Sequence, residues 1–279
     1  MNLGARILSL PGRTANALRQ SILAIFIYRR ILFATTRVEL SKRYAGTLFG
    51  PFWVALQPLL FLGVYLFVYL VVFKVRFPGY SDLYYVVYVF SGLVPYITLM
   101  EALTQGVVCI KQNIHLVKNV MLPIDLIPAR TLLMSITTQM VGLGLLLVLS
   151  AINGTFSLNI LLLPIAIFLQ VLFLLGLVWM FSALGVLLPD LSYFVGNFLL
   201  LLLFLSPIAY MPNMVSPGLS FLVDYNPIHY MMELFRICVI GGYAFDLKSL
   251  GIAVLGSAST FVLGCVFFRR FRNSLLDYE

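Results

Sequence analysis

Six stretches of this 279-residue chain are almost wholly apolar and are separated by short polar connections. They comprise residues 52–73, 84–106, 131–151, 160–184, 193–210 and 249–268. Because the apolar core of a bilayer, about 30 Å thick, takes about 20 helical residues to cross, each stretch is predicted to be a transmembrane helix. The fifth stretch is the shortest, and Pro207 near its end indicates a break or a re-entrant continuation. Five or seven crossings are the alternatives to six.

An amphipathic segment at residues 19–48 precedes the first stretch. Several arginines alternate there with apolar residues, namely Leu23, Phe26, Ile27, Ile31 and Phe33. A helix of this kind lies in the interface of a membrane. Residues 1–18 are predicted to be loosely ordered. One domain is expected, with a cytoplasmic lead and interface helix at 1–48, a six-helix membrane domain at 49–272 and a cytoplasmic tail at 273–279.

The composition indicates an all-α integral membrane protein. Hydrophobic residues make up 62% of the chain and charged residues 10%, with a mean hydropathy of +1.04. Of the 18 Lys and Arg residues, 14 lie before the first stretch, between the second and third, or after the sixth. Basic residues collect on the cytoplasmic side, so both termini are expected there. Topology and anionic lipid, rather than nucleic acid, therefore explain the net charge of +8.

The sequence lacks the usual patterns of catalysis and metal binding. It contains no Gly-Lys pair and therefore no phosphate-binding loop, so any ATP and Mg²⁺ must be bound by another chain. No nucleophile elbow or pair of acid/base carboxylates is present. Cys109, Cys238 and Cys265 have neither disulfide nor metal-ligand spacing. No cofactor is expected on this chain.

The connection between the fifth and sixth stretches contains a further apolar helix. Asn226 suits an N-cap, Pro227 suits the first helical position, and Gly241-Gly242 end the pattern. Such a helix, about 14 residues and about 21 Å long, is too short to cross a bilayer. We expect a re-entrant, gate-like helix at the outer face. The alternative is a hydrophobic loop that rests on the bundle.

Four ionisable residues near or within apolar segments need partners. His229 and Glu233 have a spacing that permits a zinc pair, but no third ligand is evident nearby, and contacts with each other or with Arg236 are expected instead. Glu101 lies within the second stretch, where carboxylates are costly. Stretches one, three, four and five contain no charged residue or histidine, so Glu101 has no partners for a proton relay. Either a structural bond or a contact near the cytoplasmic loop is expected for it.

Aromatic residues recur at every fourth position of the first stretch and continue into the second. The members of this set are Phe61, Tyr65, Tyr69, Phe73 and, in the second stretch, Tyr88. Steps of four overshoot a helical turn by about 40°, so the first four form a slowly winding stripe. An interfacial belt is one interpretation. The other is a channel wall that contacts sugar rings, because the phenol of Tyr65 lies near mid-membrane and needs a hydrogen-bond partner.

Short motifs occur along the chain in a specific order. They are Lys42-Arg43-Tyr44, Leu48-Phe49-Gly50-Pro51-Phe52-Trp53, Leu56-Gln57-Pro58, Ser91-Gly92-Leu93-Val94-Pro95, Glu101-Ala102-Leu103, Asn113-Ile-His-Leu-Val-Lys118, Leu122-Pro123, Ser206-Pro207-Ile208, Asn226-Pro-Ile-His229 and Glu233-Leu-Phe-Arg236. In this order the chain resembles ABC-2 type permeases of bacterial polysaccharide exporters, over roughly residues 28–272. One departure is Leu188-Pro189-Asp190, where the family often has an Arg-Asp pair.

The resemblance implies a homodimer of permeases in the bacterial inner membrane, docked to separate ABC ATPase subunits. The inner loop at 111–122, which by pattern is a short amphipathic helix closed by Pro123, would couple to the ATPase. Its expected coupling residues are Asn113, His115, Leu116 and Lys118. The outer gate would include Asn226, Pro227, His229, Glu233 and Arg236. The cargo would be a polyprenyl-linked glycan such as O-antigen, and the chain itself would not be an enzyme.

Two other functions stay open at this point. An ABC-2 permease for drugs or small lipids would have the same fold with a different cargo. A membrane-embedded glycosyl- or acyltransferase would need a polar site at a membrane face. The grouped candidates for that site are Asp224, His229 and Glu233.

Overall fold

The computed structural model describes residues 10–75, 77, 79–120, 123–155, 158–243 and 246–276, and the regular structure in these residues is helical. The helices of the first half are α1 Leu10–Ile27, α2 Arg29–Tyr44, α3 Trp53–Leu66, α4 Asp82–Val120 and α5 Leu126–Ile152. Those of the second half are α6 Leu163–Leu187, α7 Leu191–Leu205, α8 Phe221–Asp224, α9 Pro227–Val239 and α10 Leu247–Leu276. Shorter 3₁₀ or π-helical turns are Gly50–Phe52, Phe67–Val72, Leu158–Leu162, Pro212–Met214 and Pro217–Leu219.

Five helical segments of the described chain are long and apolar enough to cross a membrane. They are Gly50–Val72, Asp82–Ile114, Leu126–Ile152, Leu158–Leu187 and Leu247–Arg272, and each contains or closely matches a predicted stretch. The predicted fifth stretch corresponds to α7, which has 15 residues and is about 22 Å long. Helix α7 ends where Ser206 becomes extended, with ψ at 143°. Pro207 explains this end, because proline disfavours the helical conformation in the residue before it.

The N-terminal segment forms two helices. Helix α1 begins at Leu10, so the prediction of a loosely ordered lead is wrong for residues 10–18; residues 1–9 lie outside the described part. Tyr28, with φ −93° and ψ 15°, separates α1 from α2. The apolar residues expected to face the membrane interface are all exposed, namely Leu23, Phe26, Ile27, Ile31 and Phe33.

Helix α4 lies at the centre of the bundle. In its most apolar part 78% of the residues are buried, against 17% for the segment that contains α3. Asn113, with φ −120° and ψ 16°, is non-helical and separates the long first part of α4 from a short second helix that ends at Val120. The predicted inner-loop helix is thus present over its described residues.

Glycines set the spacing between the central helices. A Cβ atom on Gly264 of α10 would collide with the backbone of Gly176 on α6, and one on Gly185 of α6 would collide with the backbone of Val107 on α4. Small residues that let helix backbones touch are typical of packing in membranes. These contacts make α4, α6 and α10 a tightly packed core.

Polar contacts between helices identify the two ends of the bundle. At one end, Asp125 before α5 pairs with Arg269 and Arg272 of α10. We call this the basic end, since Arg43 and Arg130 also lie there. At the opposite end, the carbonyl of Thr155 after α5 accepts a hydrogen bond of 2.7 Å from the amide of Gly241 after α9.

Helix α7 and the extended residues after it run antiparallel to α4. The hydroxyl of Tyr96 donates to the carbonyl of Leu199, and the hydroxyl of Tyr85 donates to that of Ala209 at 2.9 Å. Helix α6 ends on the side of Asp125, whose carbonyl accepts from the indole of Trp179 at 3.2 Å. The chain therefore travels from the basic end towards the opposite end between residues 188 and 209.

Candidate functional site

An apolar groove of about 430 Å³ lies between α3 and α7. Its walls include Trp53, Gln57, Phe61, Tyr65 and Tyr69 from α3 and the π-helical turn, and Leu200, Leu203 and Phe204 from α7. The rings of Tyr65 and Tyr69 stack with centroids 4.8 Å apart, and Phe73 meets Tyr69 edge-on at 5.8 Å. The predicted aromatic stripe is thus present on one side of this segment. Its role as a channel wall stays a prediction.

The structure does not bring Tyr88 into this groove. Its ring is fully buried beneath the guanidinium of Arg236, with 3.8 Å between Cζ and the ring centroid. Its hydroxyl donates to the carbonyl of Tyr210 at 3.4 Å. Tyr88 therefore belongs spatially with the residues of α9, not with the stripe on α3.

Helix α9 begins as predicted. The side chain of Asn226 accepts a hydrogen bond of 3.0 Å from the amide of Ile228, and Pro227 is the first helical residue. The Asn226 amide also donates to the Ser206 hydroxyl at 2.9 Å. One side chain thus caps α9 and fastens its start to the turn after α7. Helix α9 ends at Val239, close to the predicted glycines.

Arg236 is completely buried at the opposite end of the bundle. Its guanidinium donates to a carboxylate oxygen of Glu233 at 2.9 Å and to the carbonyls of Pro207 and Ile208 at 2.6 and 3.3 Å. Those carbonyls are available because the chain leaves the helical conformation at Ser206, which frees them from bonds within α7. Arg236 therefore joins α9 to the break in the fifth predicted stretch and confirms the expected contact with Glu233.

His229 and Glu233 lie too far apart for a hydrogen bond, with 3.9 Å between imidazole Nδ1 and carboxylate oxygen. Burial lowers the pKa of His229, so the imidazole is neutral at pH 7. No group of three His, Cys, Asp or Glu side chains in the described part of the chain could hold a metal ion. Asp224 is exposed whereas the other two are buried, and the three do not form an open site.

At the basic end, Arg43 of α2 forms an ion pair with Glu101 of α4. Burial alone would lower the pKa of Arg43, but the adjacent Glu101 carboxylate raises it above its ordinary value. The expected structural bond of Glu101 is thereby confirmed. Beside the pair lies a polar cavity of about 290 Å³, lined by Glu39, Gln105, Gln112, Asn113 and Arg130 among others.

Asn113 marks the start of the predicted coupling residues. Its side-chain nitrogen donates to the carbonyl of Cys109 at 2.8 Å, and its oxygen accepts from Arg130 at 2.6 Å. The backbone of His115, Leu116 and Lys118 belongs to the last turns of α4, whereas their side chains lie outside the described residues.

Sequence reasoning did not single out two buried charged residues at the start of α5. Asp125 is 1% exposed and Arg130 is 4% exposed. Their partners include Arg269 and Glu39, which are 144 and 91 positions away, and no local pattern indicates such pairs. A charged residue next to a predicted span is a signal for topology, but not for a partner.

Comparison with known proteins adds independent information. The family described as ABC-2 type transporter matches residues 30–240. An O-antigen export system permease protein RfbA of Myxococcus xanthus is 26% identical over 215 residues, covering 76% of this chain and 81% of that protein. A Klebsiella pneumoniae protein of the same name is 25% identical over 244 residues, covering 87% and 92%. The polysialic acid transport protein KpsM of Escherichia coli is 24% identical over 240 residues, covering 85% and 92%.

Proposed function

We propose that this chain, which belongs to the ABC-2 type transporter family, is the permease subunit of an ABC exporter of polysaccharide. The observation behind this is the extent of the family match, which runs from α2 to the end of α9. Three curated relatives with more than four fifths of their length covered are named for O-antigen export or polysialic acid transport. The cargo proposed here is a glycan linked to a polyprenyl lipid.

We further propose six crossings, of which α7 and the residues after it make the fifth. Helix α7 alone is short for a bilayer core of about 30 Å. However, α7 together with residues 206–209 extends from near the basic end to the level of Tyr85, close to the start of α4. An even number of crossings also agrees with the contact between Gln20 of α1 and Arg269 of α10, which bond at 2.8 Å.

The basic end would face the cytoplasm, with both termini there, in the bacterial inner membrane. The positive-inside rule supports this orientation. A separate ABC ATPase would bind ATP and Mg²⁺ and would act on the inner loop at 111–122. The permease would work as a homodimer.

The groove between α3 and α7 would form one side of the glycan path. The half-buried ring of Tyr69 would present a flat face to sugar C–H groups, and its hydroxyl would bond to sugar hydroxyls. Tyr65 is buried and supports this ring by stacking on it. Helix α9 would act as a gate at the outer end, fixed to the turn after α7 by Asn226 and Arg236. A transferase is less well supported, because Glu233 is already paired with buried Arg236.

A reconstitution experiment tests the function. The permease and a candidate ABC ATPase are placed in vesicles with a labelled lipid-linked glycan, and export is measured with and without ATP. ATP-dependent export is expected, and Tyr65→Ala with Tyr69→Ala should reduce it at an unchanged level of inserted protein. The matched control is Tyr193→Ala, since Tyr193 is an exposed tyrosine outside the lining of the groove. Absence of glycan export from the wild-type complex would refute the function, and unchanged export by the double variant would refute the path.

Leu116→Asp or Lys118→Glu tests the coupling loop in the same vesicles. We expect ATP hydrolysis to continue while export falls, because contact between loop and ATPase is disturbed and the bundle is not. Wild-type export by both variants would show that coupling occurs elsewhere.

A further inference from the structure

We propose that Asp125 and Arg130 are positioning residues that hold the inner loop at both of its ends and tie it to α5. The inference rests on the proposed function, in which this loop receives the movement of an ATPase. It concerns how that movement reaches the rest of the permease. Neither residue lies in the aromatic groove or in the cluster around Arg236.

Arg130 holds the start of the loop. It lies in the second turn of α5, is almost fully buried, and donates to Asn113 at the kink of α4. Its guanidinium is also 3.9 Å from the carboxylate of Glu39 on α2. The kink in α4 is therefore fixed to α5 and lies close to the interface helix α2.

Asp125 holds the position just after the loop. It precedes α5 as the N-cap residue, yet its carboxylate makes no capping bond to that helix. The carboxylate instead lies 3.3 Å from Arg269 and 3.6 Å from Arg272, and accepts from Ser21 at 3.4 Å. Asp125 is 1% exposed, so its carboxylate is shielded from water, and of its two arginine partners Arg269 is the more buried. These contacts join the end of the loop to α1 and α10.

Helix α5 connects this arrangement to the opposite end of the bundle. There, the hydroxyl of Ser150 donates to the carbonyl of Val239, the last residue of α9, at 2.9 Å. A buried ion pair adds little net stability compared with apolar packing, but it fixes one geometry. Movement of the inner loop would therefore shift α5 as a rigid body and reach α9, rather than being lost in bending at Asn113.

Asp125→Asn tests the inference, because it preserves side-chain size while removing the charge. In the complete complex we expect ATP hydrolysis to persist and glycan exported per ATP to fall about fivefold or more. The variant Arg269→Gln/Arg272→Gln should have the same effect. Combining all three changes should add little, because residues of one network are not additive. In the permease alone, amide hydrogen exchange across 111–124 should become faster.

Gln170→Leu is the control for a general loss of stability. Gln170 is buried on α6, bonds to Gln139 of α5 and to the carbonyl of Pro95, and has no contact with the loop. It should lower the unfolding midpoint without changing export per ATP or exchange across 111–124. If Asp125→Asn behaves like Gln170→Leu, the residue is merely structural and the inference is overturned. Since this result requires a wild-type complex that exports glycan, it is distinct from failure of the proposed function.

Discussion

Substitution of Arg236 should cause a large decrease in the stability of the protein. Arg236→Met leaves the Glu233 carboxylate buried without its partner, which costs about 3–5 kcal/mol in comparable cases. The unfolding midpoint in detergent should therefore fall clearly. Adding Glu233→Gln to the same chain should recover part of the loss, because the uncompensated charge is gone. Exposed Lys248→Met is the control and should have no effect.

If Arg236→Met had the same unfolding midpoint as the wild type, the pairing of Arg236 with Glu233 would not contribute to stability. An additive further loss in the double variant would also contradict such a contribution, since it would mean that the two side chains do not depend on each other.

Contacts between residues that are close in sequence could be predicted, whereas contacts between residues that are distant in sequence could not. The cap by Asn226, the start at Pro227 and the bond between Glu233 and Arg236 follow from spacing within one helix. The pair of Arg43 with Glu101 bridges 58 positions and depends on how α2 lies against α4. The same holds for Tyr88, whose place under Arg236 requires knowing that α9 folds back over α4.

At the scale of helices, the close contact between α6 and α10 gives a direct test of packing. Gly264→Val should separate the two helices, because its side chain would occupy the space of the Gly176 backbone. We expect a strongly reduced unfolding midpoint and a low yield of inserted protein, as overpacking forces backbone shifts. Gly256→Val on the same helix is matched in chemistry but has open space around the position, so it should be tolerated. Equal behaviour of both variants would contradict the proposed role of the glycine contact.

Helix positions were predictable from apolar runs, whereas the start of the first helix was not. Pro207 correctly indicated the break after α7, because proline acts on its immediate neighbour. The early start of α1 at Leu10 was missed. This error arises where polar residues outside an apolar run still form helix, which hydropathy alone does not detect.

At the scale of the whole molecule, the two ends of the bundle differ in chemistry and are joined by long helices. The ion pairs of Arg43 and Arg130 join α2 to one end, and hydrogen bonds from Arg269 to Gln20 and Ser21 join α1 to it. The cluster around Arg236 closes the other end with a single buried pair and backbone carbonyls. This difference between the two ends suits a protein that receives a force on one side of a membrane and opens on the other.

The path of the chain between these ends depends on α7, and labelling of single cysteines can decide it. Asp190 precedes α7 and Ser216 follows the break, and both side chains are exposed. If α7 and the residues after it cross the membrane, Ser216→Cys should react in intact cells with a maleimide that cannot enter them. Asp190→Cys should react only after the cells are permeabilised. Cys109, Cys238 and Cys265 are all buried, so background labelling should be low.

Labelling of both positions from the same side would show that α7 turns back and that the chain crosses five times. The termini would then lie on opposite sides of the membrane. That arrangement conflicts with the bonds between α1 and α10, where Arg269 donates to Ser21 at 2.9 Å. Because this contact and a five-crossing path exclude each other, the two cysteine variants test the fold and the orientation of the transporter together.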